Sequence, residues 1–182
     1  MEDHSYSFCA KRGIDHFQEL FGKSPRFPWQ HNIVKSEKSV PDYDFYKKHT
    51  NIFLNNTTVC LDQIKGTMHC DYVGKEWIEM FGCLKKSMAH SEKNAKEWIS
   101  EKSSGIILNQ YGDQYFISGD GNHRTCYAKF LGLKDLVVGT IQVYELDQSH
   151  LNFHKQLKQL KELKLHINEW SDQYYNIQVG DI

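Results

Sequence analysis

No stretch of this 182-residue chain stays apolar for the roughly 20 residues that a bilayer-spanning helix needs, so no membrane span is expected. Charge of one sign is also missing. Lys and Arg total 22 against 23 Asp and Glu, and a formal charge of −1 gives no global attraction for nucleic acid, so any such contact must come from a local patch. The five cysteines (Cys9, Cys60, Cys70, Cys83, Cys126) are odd in number and widely spaced, with no Cys-x-x-Cys pair. That excludes a disulfide framework and a cysteine-based zinc site, and leaves reduced thiols, several of them expected to be buried. The N-terminus is acidic and polar, unlike a signal peptide, and a cytoplasmic protein is expected. Prolines number three (Pro25, Pro28, Pro41), all in the first quarter of the chain, and no repeat or low-complexity tract appears.

The chain does carry an ordinary globular composition, 40% hydrophobic and 25% charged, at a length suited to one domain with a real core. Residues 1–56 are expected to form an extension packed on that core. They hold a short amphipathic helix over Asp15–Phe21 (Phe17, Leu20, Phe21 inward) and a loop from Phe27 to Lys38. The core domain is expected over 57–146. Thr57–Leu61 reads as a strand followed by a turn through Lys65-Gly66-Thr67, and Trp77, Ile78, Phe81 and Leu84 fall at helical spacing over 75–88. A second short helix is expected from Ser91, a good N-cap, to Lys102. Gly105–Asn109 and Gln114–Ser118 flank Tyr111-Gly112-Asp113 as a β-hairpin, and Val137–Leu146 reads as a further strand. Residues 147–182 are expected as a helical extension. There Phe153, Leu157, Leu160, Leu163, Ile167 and Trp170 recur at three- and four-residue steps, opposite a solvated face of Lys155, Lys158, Lys161 and Lys164.

The most informative stretch is Ser118-Gly119-Asp120-Gly121-Asn122-His123-Arg124-Thr125. It joins the strand Gln114–Ser118 directly to a helix over Thr125–Leu131 that ends before Gly132. A helix N-terminus offers unpaired backbone N–H groups and the positive end of a dipole, which suits a phosphate. Gly119 and Gly121 let the backbone approach a ligand closely. Arg124 offers a bidentate guanidinium and His123 a titratable imidazole. Asp120 suits a Mg²⁺ ion or a helix cap, while Asn122 and Thr125 add donors. Lys129, Lys65, Thr67, His69 and Asp71 are secondary candidates, chosen by position alone. His69-Cys70-Asp71 lacks a second pair at zinc spacing, and Cys126 reads as a packed thiol.

Asp120-Gly121-Asn122-His123-Arg124, followed by Ala128-Lys129 and Leu131-Gly132, resembles the Asp-Gly-x-His-Arg turn and helix of the ParB/sulfiredoxin superfamily. Leu61-Asp62-Gln63-Ile64 resembles the segment that opens such domains, and the likeness spans residues 57–146. It implies a small mixed α/β (α+β) fold whose turn holds nucleotide phosphates. Asn122 stands where sulfiredoxins carry their reactive cysteine, which argues against sulfinic-acid reduction, and no helix-turn-helix module follows the core. The leading expectation is therefore a protein that binds ATP or CTP with Mg²⁺ and hydrolyses it or transfers its phosphoryl group. Asp120, His123 and Arg124 would form the catalytic set; Gly119, Gly121, Asn122, Thr125, Lys65 and Thr67 would add phosphate contacts; Asp120 would hold the metal. A DNA-binding or DNA-cleaving protein using the lysine face is the alternative, and a non-enzymatic regulator with a protein partner on either extension is the third reading. Fold alone does not choose among them.

Overall fold

In the computed structural model the described residues are 9–82, 96–99, 105–162, 166–171 and 174–178. Five strands form one mixed sheet, those over 107–111, 114–117 and 135–146 being the richest in β-branched and aromatic residues. They are β1 (Tyr46–Cys60), β2 (Ile64–Thr67), β3 (Ile107–Tyr111), β4 (Gln114–Ile117) and β5 (Asp135–Leu146), in the order β1-β5-β3-β4-β2. β1 is antiparallel to β5, β5 parallel to β3, β3 antiparallel to β4, and β4 parallel to β2. The helices are α1 (Ala10–Phe21), α2 (Trp77–Gly82), α3 (Asn122–Phe130) and α4 (Gln148–Glu162), and residues 96–99 are also helical. The fold is mixed α and β.

Side chains alternate across each strand, so the two faces of the sheet can be assigned. Leu108 and Ile117 join Val59, Leu136, Val138 and Ile141 in one core with Phe17 of α1, Trp77, Ile78 and Phe81 of α2, and Tyr127 and Phe130 of α3. Asn109, Tyr111 and Phe116 take the opposite face, where Tyr111 and Phe116 meet Val40 and the rings of Tyr43, Tyr46 and Tyr144. A buried carboxylate sits on that second face. Glu37 accepts hydrogen bonds from the Tyr43 hydroxyl at 2.6 Å, the Tyr111 hydroxyl at 2.9 Å and the Asn109 amide at 3.3 Å. Burial, reinforced by Glu37, pushes the Tyr111 phenol well above its ordinary range.

Residues 9–45 are woven into the core. α1 crosses α2 so closely that a Cβ on Gly13 would fall 1.9 Å from the Ile78 carbonyl oxygen, and only glycine permits the approach. Residues 32–35 lie against β2 and the 74–77 bend: the Lys35 N–H donates to the Lys65 carbonyl, the Thr67 N–H to the Lys35 carbonyl and the Trp77 N–H to the Asn32 carbonyl. The first strand also starts at Tyr46, ahead of the expected Thr57. Its polar sequence hides it, because an edge strand needs only one neighbour and one covered face. Lys65-Gly66-Thr67 is strand β2 and not a turn; the bend is the 3-10 turn Leu61–Gln63 before it.

At the other end, α4 is anchored by Asp147, whose carboxylate accepts the His150 N–H at 2.9 Å and pairs with Lys47 at 2.7 Å. That pairing holds the Asp147 carboxyl below its usual range. The expected helix to Trp170 stops at Glu162. His166–Ser171 (β6) and Tyr174–Gln178 (β7) instead form an antiparallel hairpin, so residues 147–182 are not wholly helical. Ile167 and Trp170 continue the helical spacing, but aromatic and β-branched residues on both arms favour a two-stranded ribbon. Of the helices expected over 75–88 and 91–102, Trp77–Gly82 and 96–99 are observed; Lys75 and Glu76 form a bend and an isolated bridge to Ile33 instead, and the remaining positions lie outside the described residues.

Candidate functional site

The parallel pairing of β2 with β4 brings their carboxyl ends together, and a crevice beyond such ends is where open α/β sheets bind ligands. The Ile117 carbonyl ties the two ends, accepting the Met68 N–H at 2.9 Å and the Thr67 hydroxyl at 3.1 Å. The Thr67 oxygen in turn accepts the His69 N–H at 3.1 Å. Thr67 is therefore fully buried and fully engaged; it braces the loop and is not free for a ligand.

Beyond Ile117 the chain bends through Ser118–Gly121 into α3. Gly121 has φ +126°, and a Cβ there would lie 2.9 Å from Ile106 Cγ1 and Cγ2, so both backbone and space require glycine. The helix begins at Asn122, three residues before the expected Thr125, which places Asn122, His123 and Arg124 in its first turn. No side chain caps that turn. Asp120 does not cap it either: its Oδ1 accepts the Gly121 N–H at 2.8 Å and its Oδ2 accepts from Arg124 Nη2 at 2.9 Å. The N–H groups of this first turn are those that a helix leaves without an intrahelical acceptor, at the positive end of its dipole.

Arg124 differs from its expectation. Its side chain is 7% exposed, the Asp120 side chain 89%. A Cβ on Gly105 would come within 3.2 Å of Arg124 Nη1, so the guanidinium is turned inward. A buried guanidinium needs an anion beside it, and Asp120 supplies one. The Arg124 guanidinium thus turns toward the protein interior and pairs with Asp120.

Three buried polar atoms within this one turn have no partner among the described residues: Asn122 Oδ1, His123 Nδ1 and Thr125 Oγ1. Leaving such atoms unsatisfied costs about 1–3 kcal/mol each, a cost that an internal water or a ligand admitted by local opening of the turn would offset. All three can present donors. The Asn122 amide does so by rotating 180°, and the Thr125 hydroxyl by its free rotor. His123 Nε2 lies 3.1 Å from the Tyr72 hydroxyl; when that hydroxyl donates, Nδ1 carries the ring proton. Burial pushes the His123 pKa down, outweighing the pull of Asp120 in the other direction, so the ring is neutral near pH 7. Sequence reasoning missed Tyr72. The ring stands edge-on to His123 at 5.5 Å and to His69 at 5.9 Å, a contact across 51 positions that no local pattern announces.

Other expected contributors lie elsewhere. Lys65 donates its ammonium to the Asp62 carbonyl at 2.7 Å and lines a separate cleft with Lys129, so it is not part of this turn. Gly119 rests against Ile107. Cys126 is a buried thiol donating to the Trp77 carbonyl, and Cys70 approaches only its neighbour Asp71. Of the four described cysteines only Cys126 is buried. Among the described residues no three His, Cys, Asp or Glu side chains gather as a metal site, and no helix is long and apolar enough to cross a membrane. Comparison with protein-family models, with curated proteins and with solved structures finds no match to this chain.

Proposed function

We propose that the protein binds a nucleoside triphosphate, ATP or CTP, with its phosphates at the N-terminus of α3, and hydrolyses it or transfers its terminal phosphoryl group. The observation that carries this reading is the set of unpartnered polar atoms on Asn122, His123 and Thr125, gathered at an uncapped helix end. In it the first-turn N–H groups, the Thr125 hydroxyl, the Asn122 amide and the His123 Nδ1–H donate to phosphate oxygens. Tyr72 fixes the His123 ring, and Arg124 fixes the Asp120 carboxylate. Catalysis would rest on positioning and charge stabilisation, as phosphoryl transfer generally does.

Mg²⁺ suits this donor set. Mg²⁺ is commonly held by one or two carboxylates, with phosphate oxygens and water completing the shell, and Asp120 is an exposed carboxylate at the turn. When bound, the ion would neutralise phosphate charge. Calorimetric titration with ATP and CTP, with and without Mg²⁺, followed by a phosphate-release assay, tests the reading. Saturable binding that weakens in Asn122→Leu and His123→Phe supports it. Absence of binding to both nucleotides, with the protein folded, refutes it.

A further inference from the structure

At the far end of α3, roughly 10 Å along the helix from Asn122, lies a second cleft that the nucleotide reading does not use. Its volume is about 450 Å³, a size suited to a small organic ligand. Two indoles, Trp29 and Trp77, form apolar walls, and Ile33 stands 51% exposed at the rim. Three lysines, Lys35, Lys65 and Lys129, line it against one acidic residue, Asp62.

Lys129 is the telling group. It is only 9% exposed, and its Nζ donates to the Leu61 carbonyl at 2.5 Å while lying 5.0 Å from the Trp77 ring centre and 5.7 Å from that of Trp29. It makes no ion pair with a described carboxylate. One carbonyl and two π-faces compensate a buried cation poorly. Burial accordingly pulls its pKa down to about 8, against the opposing pull of Asp62. An anion in the cleft would supply the missing countercharge, and a flat ring beside it would cover the indoles.

We propose that this cleft is a second ligand site, taking a flat aromatic molecule that carries a carboxylate or phosphate. The ring lies against Trp29, and the anion meets Lys35 and Lys65 with Lys129 beneath. The probes are 2-naphthoate, 1-naphthyl phosphate and the uncharged 2-naphthylmethanol, followed by tryptophan fluorescence and calorimetry on the full chain. Saturable binding of at least one anionic probe is expected, with the tighter of the two identifying the preferred anion and the alcohol binding about tenfold more weakly. Lys35→Ala with Lys65→Ala, two exposed side chains whose loss leaves the core intact, should weaken the anionic probe about tenfold. Thr125→Val, one turn of α3 before Lys129 and outside the cleft lining, should leave this binding unchanged, which separates the cleft from the proposed nucleotide site. The proposal is overturned if neither anion binds, if the alcohol binds as well as the anions, if the double variant binds as tightly as the parent, or if Thr125→Val abolishes binding.

Discussion

Replacing Thr125 by Val separates stability from ligand binding at the proposed phosphate site. The two side chains are nearly the same size and share β-branching, so helix propensity and packing barely change. What changes is one hydroxyl, fully buried and without a partner among the described residues. An unsatisfied buried hydroxyl costs about 1–3 kcal/mol, so the valine variant should be more stable without nucleotide by about 1–2 kcal/mol. For a chain of this length that corresponds to a rise in Tm of about 3–6 °C. The same change removes a hydrogen bond to a charged phosphate oxygen, worth about 1.5–3 kcal/mol, and should weaken nucleotide binding by about 10- to 100-fold. Urea denaturation gives the first quantity and calorimetric titration with Mg·ATP and Mg·CTP the second. A variant that is less stable than the parent and binds nucleotide equally well would refute the reasoning, because the hydroxyl would then be satisfied within the protein.

Further expectations concern the groups that build the fold around this turn. His123 has a pKa held below 6.5 by burial, so the unfolded chain takes up its proton first; stability conferred by the neutral ring is present above pH 6.5 and is lost as pH falls below it. Denaturation measured from pH 8 to pH 5 should show that loss, and His123→Phe should reduce its slope. Lys129, with a pKa near 8 against an ordinary 10.5, should make the protein more stable as pH rises from 8 to 10, since the unfolded chain holds that proton longer; Lys129→Met should flatten this rise. Glu37→Gln turns an amide group toward donors that now meet a carboxylate and should cost about 2 kcal/mol in a urea melt. Gly13→Ala places a methyl against the Ile78 carbonyl and should cost about 3 kcal/mol despite the better helix propensity of alanine, measurable as a lowered denaturation midpoint.

The elements legible in the sequence were those whose signals are local. The hairpin Ile107–Tyr111 with Gln114–Ile117 is announced by β-branched and aromatic runs around Gly112, and the strand-bend-helix passage at Gly119–Thr125 by its glycines. The early part of β1 was not legible, since Tyr46–Asn55 is a largely polar edge whose pairing with Thr140–Leu146 is set from far along the chain. The hairpin β6–β7 was hidden because Ile167 and Trp170 fit a helical period as well as a strand. At the candidate site, sequence placed Asp120, Asn122, His123 and Thr125 on one turn, but it could not show that Arg124 faces inward. That direction follows from the nearness of Gly105 and the salt bridge to Asp120, both products of tertiary packing. Tyr72 and the separation of Lys65 from the turn are long-range outcomes of the same kind.

The central claim, that a nucleotide phosphate docks on the first turn of α3, is tested most directly by amide ¹H–¹⁵N spectra recorded during titration with Mg·ATP and Mg·CTP. The account predicts large, saturable shifts at the N–H groups of Asn122, His123 and Arg124, together with the His123 ring nitrogens, for at least one nucleotide. Unmoved resonances across Gly121–Thr125 at millimolar concentrations of both nucleotides would contradict it.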